Sequence, residues 1–147
     1  MAQELHARIA ELGGQAAYPV VSLDLFFDGD DDPASFAPNL EPHPGIARIY
    51  AVLSGIAQRP EVSAVVVQID EVLDPPEWPY ASAIYVITSS DAAEVHRWAA
   101  SIRPDEVSPD SEDNYGWLTY ADRDRATPPP GAPGFPDGYR PVILVWD

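Results

Sequence analysis

Residues 61–72 and 83–88 alternate apolar and smaller or polar side chains with a period of two, and the ten residues between them hold three prolines. Proline lacks an amide hydrogen and clashes with the preceding helical turn, so no crossover helix fits in that connection. Two successive strands without a helix between them are most simply an antiparallel pair. In the first strand Val65, Val67 and Ile69 point one way, while Ala64, Val66, Gln68 and Asp70 point the other. The second set turns polar toward its end, which predicts one face buried along its length and the other buried in part. A third strand closes the chain at Arg140 to Trp146, with Val142, Leu144 and Trp146 on one face and Ile143 and Val145 on the other.

Helical periodicity fills the remaining apolar stretches. Leu5, Ile9 and Leu12 form one stripe of a helix over 2–12 that Gly13-Gly14 ends. Ile46, Ile49, Tyr50, Leu53 and Ile56 form the stripe of a second, with Pro44 suited to its first turn and Arg59-Pro60 closing it. Val95, Trp98, Ala99 and Ile102 mark a third, which opens on Asp91 with Glu94 three residues later, a capping-box spacing, and stops at Pro104. Residues 22–27 suit two structures. Val21, Leu23, Leu25 and Phe27 alternate as in a strand, whereas Ser22 as N-cap, Asp24 in the first turn and Gly29 beyond the end favour a short helix. Proline- and aspartate-rich loops span 28–42 and 104–138, with one short strand expected at Trp117 to Tyr120. These elements predict a single α+β domain over 1–147, with helices packed on one face of a small, mostly antiparallel sheet.

A chain of 147 residues buries about 68–70% of its unfolded surface, so it needs no metal or disulfide to fold. With no cysteine, disulfides and thiol chemistry are excluded. No apolar run approaches the length of a membrane span, and the first residues mix charges with apolar side chains unlike a signal peptide. A cytoplasmic protein is expected. Arginine as the sole cation, beside 17 prolines, is the composition of a GC-rich bacterial genome.

Charge limits the partners. Twenty-four Asp and Glu against eight Arg and no Lys give a formal charge of −16. On a domain of roughly 15 Å radius like charges cannot separate, so the field repels nucleic acid and anionic lipid and attracts basic partners. The acids cluster in loops. Asp28-Gly29-Asp30-Asp31-Asp32 opens like a calcium loop, but Pro33 replaces its turn glycine and Asn39 its bidentate glutamate, so it reads as a solvated acidic loop. Asp70, Glu71, Asp74 and Glu77 flank the hairpin beside Trp78 and Tyr80. Asp105, Glu106, Asp110, Glu112 and Asp113 follow the last helix, beside Tyr115, Trp117 and Tyr120. Neither group contains a cationic residue. Acids around aromatic anchors bind a basic protein by steering and burial together. The competing reading is that loop Trp and Tyr fold back onto the core.

Catalytic signatures are sparse. The three histidines, His6, His43 and His96, show no i, i+4 pair, and His43 beside Glu41 is at most a candidate acid–base pair at a helix start. The serine-elbow and phosphate-loop motifs are absent. No cofactor or metal site is expected.

Val21-Ser22-Leu23, Phe26-Phe27-Asp28-Gly29, Asn39-Leu40, His43-Pro44-Gly45, Trp78-Pro79 and Trp146-Asp147 resemble a family of small, acidic, uncharacterised bacterial proteins, from Tyr18 onward. In size and charge the chain is also similar to immunity proteins of bacterial polymorphic toxin systems, without the Asn-Gly-Gly-like loop of their best-known superfamily. That resemblance implies a non-enzymatic acidic protein that neutralises a basic partner such as a toxin. The partner-binding residues are then Asp70, Glu71, Asp74, Glu77, Trp78, Tyr80, Asp110, Glu112, Asp113, Tyr115 and Trp117. The alternatives are a small enzyme or ligand-binding domain with His43 at a cleft beside Glu41 or Asp28, and a DNA mimic.

Overall fold

The computed structural model describes residues 2–73, 77–108, 117 and 127–146. Among them the chain runs α1 (Ala2–Glu11), β1 (Val20–Ser22), α2 (Leu23–Phe27), α3 (Ile46–Ala57), β2 (Val62–Glu71), β3 (Tyr80–Thr88), α4 (Ala92–Ala99), β4 (Glu106–Ser108) and β5 (Arg140–Val145). The five strands form one sheet in the order β1-β2-β3-β5-β4, and every neighbouring pair is antiparallel. The fold is α+β, a single domain.

The hairpin lies at the centre. Val65 pairs with Val86 and Val67 with Ile84, while an irregularity between Val62 and Ala64 puts one extra residue into β2. That bulge explains why Val62 and Val65 share a face although their spacing is odd. Val65, Val67, Ile69, Ile84, Val86, Val142, Leu144 and Trp146 meet the helices, whose buried stripes are Leu5 and Ile9, Phe26 and Phe27, Ile49 and Leu53, and Val95 and Ala99. Aromatic rings fill the middle of this layer. Phe26, Phe27 and Phe36 pack edge to face, Tyr50 stacks on Phe27 at 5.5 Å, and Phe36 meets Trp146 at 5.1 Å. The Trp146 indole donates to the Ile102 carbonyl at 2.8 Å, so the ring's polar atom is paired inside the core.

No described helix covers the opposite face of the sheet. Val20, Val66, Tyr85, Ile87 and Ile143 form a smaller cluster there with Trp117, against which Ala132 and Tyr139 of the proline-rich segment pack. Gln68 is fully buried in this layer. Its carbonyl oxygen accepts from the Tyr85 hydroxyl at 2.8 Å and its amide donates to the Tyr18 carbonyl at 3.2 Å. The segment also straps the edge of the sheet, where the Val20 amide donates to the Pro130 carbonyl at 2.9 Å. Gly131 is required beside it, because its φ is +87° and a Cβ there would stand 2.3 Å from the Val20 carbonyl oxygen.

The ambiguous stretch is the short helix, preceded by a strand that ends on its first residue. Val20–Ser22 is strand, and the Ser22 hydroxyl then accepts from the Leu25 amide at 3.1 Å to start α2. Asp91 caps α4 by accepting from the Glu94 amide at 2.9 Å, but the Glu94 carboxylate turns forward to Arg97 and completes only half a capping box. Pro44 lies outside α3. Gly45, at φ +94°, is the N-cap, and that left-handed backbone delays the helix to Ile46. β4 lies in the stretch expected to be loop, and it is held by pairing with β5. Of the strand expected at 117–120, residues 118–120 lie outside the described residues, and Trp117 itself is not in a strand.

Candidate functional site

The acidic hairpin end is assembled from β2 and β3 and is held by α1 and α2. At the end of β2, Asp70 is partly buried and accepts from the Ser82 hydroxyl across the hairpin. Burial pushes its carboxyl up from the ordinary aspartate range, against the lowering effect of the Ser82 hydrogen bonds. Glu71 is exposed. The next amide, Val72, donates to the Gln15 side chain at 2.9 Å. Glu77 is exposed as well, and its carbonyl accepts from His6 Nε2 of α1 at 2.8 Å. The indole N–H of Trp78 donates to the Phe26 carbonyl of α2 at 2.7 Å, which leaves the ring half-buried. Tyr80, also half-buried, opens β3 opposite Glu71. Asp70, Glu71, Glu77, Trp78 and Tyr80 are thereby brought to one end of the molecule.

The other expected partner-binding residues fare differently. Asp74, Asp110, Glu112, Asp113 and Tyr115 lie outside the described residues, as does Tyr120. Trp117 is only 4% exposed and packs edge-on against Tyr85 at 4.8 Å. Its indole is therefore a core side chain in this structure and presents no surface for a partner, as the fold-back reading of loop aromatics requires.

The Asp28–Asp32 loop uses its carboxylates internally. Asp30 accepts from the Asp32 amide at 2.9 Å and from the Ser35 hydroxyl, and Asp32 accepts from the Ala34 amide at 2.9 Å. Burial is the main cause that pushes the Asp30 carboxyl up to about 6; the Ser35 and Asp32 hydrogen bonds lower it, and the Asp32 and Asp31 charges raise it. The loop is pinned to the hairpin through Ser35, whose carbonyl accepts from the Ala81 amide at 2.9 Å. Among the described residues no group of three or more His, Asp or Glu has the arrangement of a metal site.

His43 is held by backbone on both sides. Its Nδ1 accepts from the Gly45 amide at 3.0 Å and its Nε2 donates to the Phe36 carbonyl at 3.2 Å. Glu41 does not pair with it in this arrangement; the Glu41 carbonyl accepts instead from Arg103 at 3.1 Å. A ring with both nitrogens engaged in these bonds positions the entry to α3.

Two openings adjoin α2. A notch of about 600 Å³ lies where β1 stops and β2 continues, between the end of α3 and the Gly131–Pro133 strap. A smaller recess of about 240 Å³ is lined by Glu4, Asp24, Leu25 and Asp28. The Tyr50 hydroxyl donates to Asp24 at 2.6 Å. That bond, with burial and the Asp24 and Asp28 charges adding to it, pushes the phenol up to about 12. Neither opening contains His43 or Glu41. Sequence reading set Asp28 beside His43 at a cleft as one alternative; the recess joins Asp28 instead to Glu4 and Asp24, because α1 and α2 meet only through tertiary packing.

Among the described residues, three arginines pair with acids close to them in sequence. Arg8 pairs with Glu11, Arg59 with Glu61 and Arg97 with Glu94, each within three positions in sequence. Arg59 also lies 4.4 Å over the Trp98 ring. Arg103 caps the carbonyls of Glu41 and Pro42. Among the described residues no helix is long and apolar enough to cross a membrane.

No solved structure matches the chain. Residues 1–144 match the model of a family described as the uncharacterized protein YfbO family. The uncharacterized protein YfbO of Escherichia coli strain K12 is 32% identical over 134 residues, covering 88% of this chain and 83% of the relative. With that extent of agreement, the chain belongs to the YfbO family.

Proposed function

We propose that this protein is a non-enzymatic acidic binding module that captures and neutralises a basic protein partner, in the manner of a toxin immunity protein in the bacterial cytoplasm. The observation that carries the reading is the formal charge of −16, with no lysine, together with a hairpin end that holds Asp70, Glu71 and Glu77 as well as the half-buried Trp78 and Tyr80. Carboxylates with no cationic residue near them in sequence keep their field, and that field steers a basic surface into contact. Trp78 and Tyr80 then supply apolar area at the centre of the contact, and the partner is blocked by occlusion.

Capture from host lysate at low salt, followed by elution along a salt gradient, tests the reading. One basic protein recovered in near-equal amount is expected, and a blank across the gradient overturns it. With the purified partner, association slows as salt rises through about 0.15 M, where charges are screened beyond roughly 8 Å. Trp78→Ala weakens binding by about 2 kcal/mol or more in a variant shown by circular dichroism to remain folded. Unchanged affinity removes Trp78 from the interface.

A further inference from the structure

The notch and the acidic recess share Asp24 and Leu25, so the two openings adjoin along α2. The notch has a structural cause. β1 is three residues long and pairs only with Val66–Gln68, after which the chain turns into α2. β2 runs on for ten residues, and Ala64 and Val65 are left lining the opening where a longer β1 would have lain. Its walls are largely apolar, with Val21, Leu23, Ala57 and Pro133 among them. Arg8 also lines it, with its guanidinium engaged by Glu11 at 3.2 Å. At the far side of Leu25 the lining becomes anionic, with Glu4, Asp24 and Asp28 and, among the described residues, no basic side chain.

We infer that the notch and the recess are one docking groove for an extended segment of the basic partner, with aliphatic side chains in the notch followed by a Lys or Arg in the recess. This rests on the binding-module reading and names the part of the partner that is held. An extended chain fits because the notch follows the line of a strand that ends early beside β2, the setting in which proteins accept an added strand. A basic end fits because the recess carries three carboxylates. A second copy fits poorly, since each copy brings a charge of −16 to the contact.

The test is a titration of the ¹⁵N-labelled full chain with acetyl-Val-Leu-Val-Arg-Lys-amide and with the same peptide carrying Glu-Asp in place of Arg-Lys. The basic peptide is expected to shift the amides of Ser22, Leu23, Asp24, Leu25, Ala64, Val65 and Val66 saturably, and the acidic one to leave them in place. Ser54→Phe, on the half-buried rim of the notch, lowers the affinity about tenfold or more. Glu4→Gln with Asp28→Asn, both exposed in the native chain, removes the preference for the basic peptide. Shifts confined to Asp70, Glu71 and Glu77 overturn the groove but leave acidic capture standing. No saturable shift with either peptide overturns it too. Groove amides that move with protein concentration alone identify a second copy as the occupant and overturn it. Failure of the lysate capture, by contrast, is failure of the binding-module reading itself.

Discussion

Gln68 shows what one buried polar side chain demands. An amide taken out of water costs free energy unless its donor and acceptor are both matched. Here Tyr85 and the Tyr18 carbonyl match them at 2.8 and 3.2 Å. Tyr85→Phe removes the donor to the Gln68 carbonyl oxygen and is expected to destabilise by about 1–3 kcal/mol. In urea unfolding, the double variant with Gln68→Met should cost clearly less than the sum of the two single changes, and simple additivity would show that the pair is uncoupled. The sequence placed Gln68 on the less buried face of its strand by period two. It did not show that the face is sealed, because Trp117 and Tyr139, which help seal it, lie far along the chain. Trp117 stood among the partner-binding candidates for the same reason: an aromatic in a loop reads alike whether it faces solvent or a sheet.

At the scale of elements, short-range chemistry was legible where a cap fixes the backbone. Ser22 decides between strand and helix for residues 23–27 through one hydrogen bond to the Leu25 amide. Ser22→Ala therefore frays α2 and costs about 1 kcal/mol, read as a lower midpoint in thermal or urea unfolding; an unchanged midpoint would mean that packing of Phe26 and Phe27 alone holds the helix. The hairpin, the stripes of α1, α3 and α4 and the facing of β5 follow from periodicity, because burial on one side imposes it. β4 did not announce itself. Three residues are too few to establish a period, and only pairing with β5 makes them a strand. The start of α3 moved to Ile46 because Gly45 takes φ +94°, a conformation that the spacing of Pro44 does not reveal.

For the whole molecule, charge and burial act on stability in the same direction. Asp30 holds its proton up to about 6 in the fold, against an ordinary value of 3.8, and Asp70 is shifted upward also. The native state therefore binds more protons than the unfolded chain between those values, so stability is greatest below them and falls as pH rises through about 6. Self-repulsion of the net negative charge grows over the same range. The melting temperature is expected to rise as pH is lowered from 7.5 to 5.5, and Asp30→Asn to flatten that rise, both read by differential scanning calorimetry. A melting temperature that falls on acidification over this interval would contradict the assignment.

The sequence alone determined the fold class, the hairpin, the helical stripes and the sign of the field, because these depend on local periodicity, on caps and on a sum of charges. Tertiary structure decided which acids meet. Glu4, Asp24 and Asp28 come from α1, α2 and the end of α2, and they share a recess only because both helices pack on the same sheet face. It also decided that Trp78 stands at the surface end of a hydrogen bond to Phe26 while Trp117 is enclosed. Contacts between residues distant in sequence carry no local signature. They follow from how apolar faces stack, and that is settled only when the whole core forms.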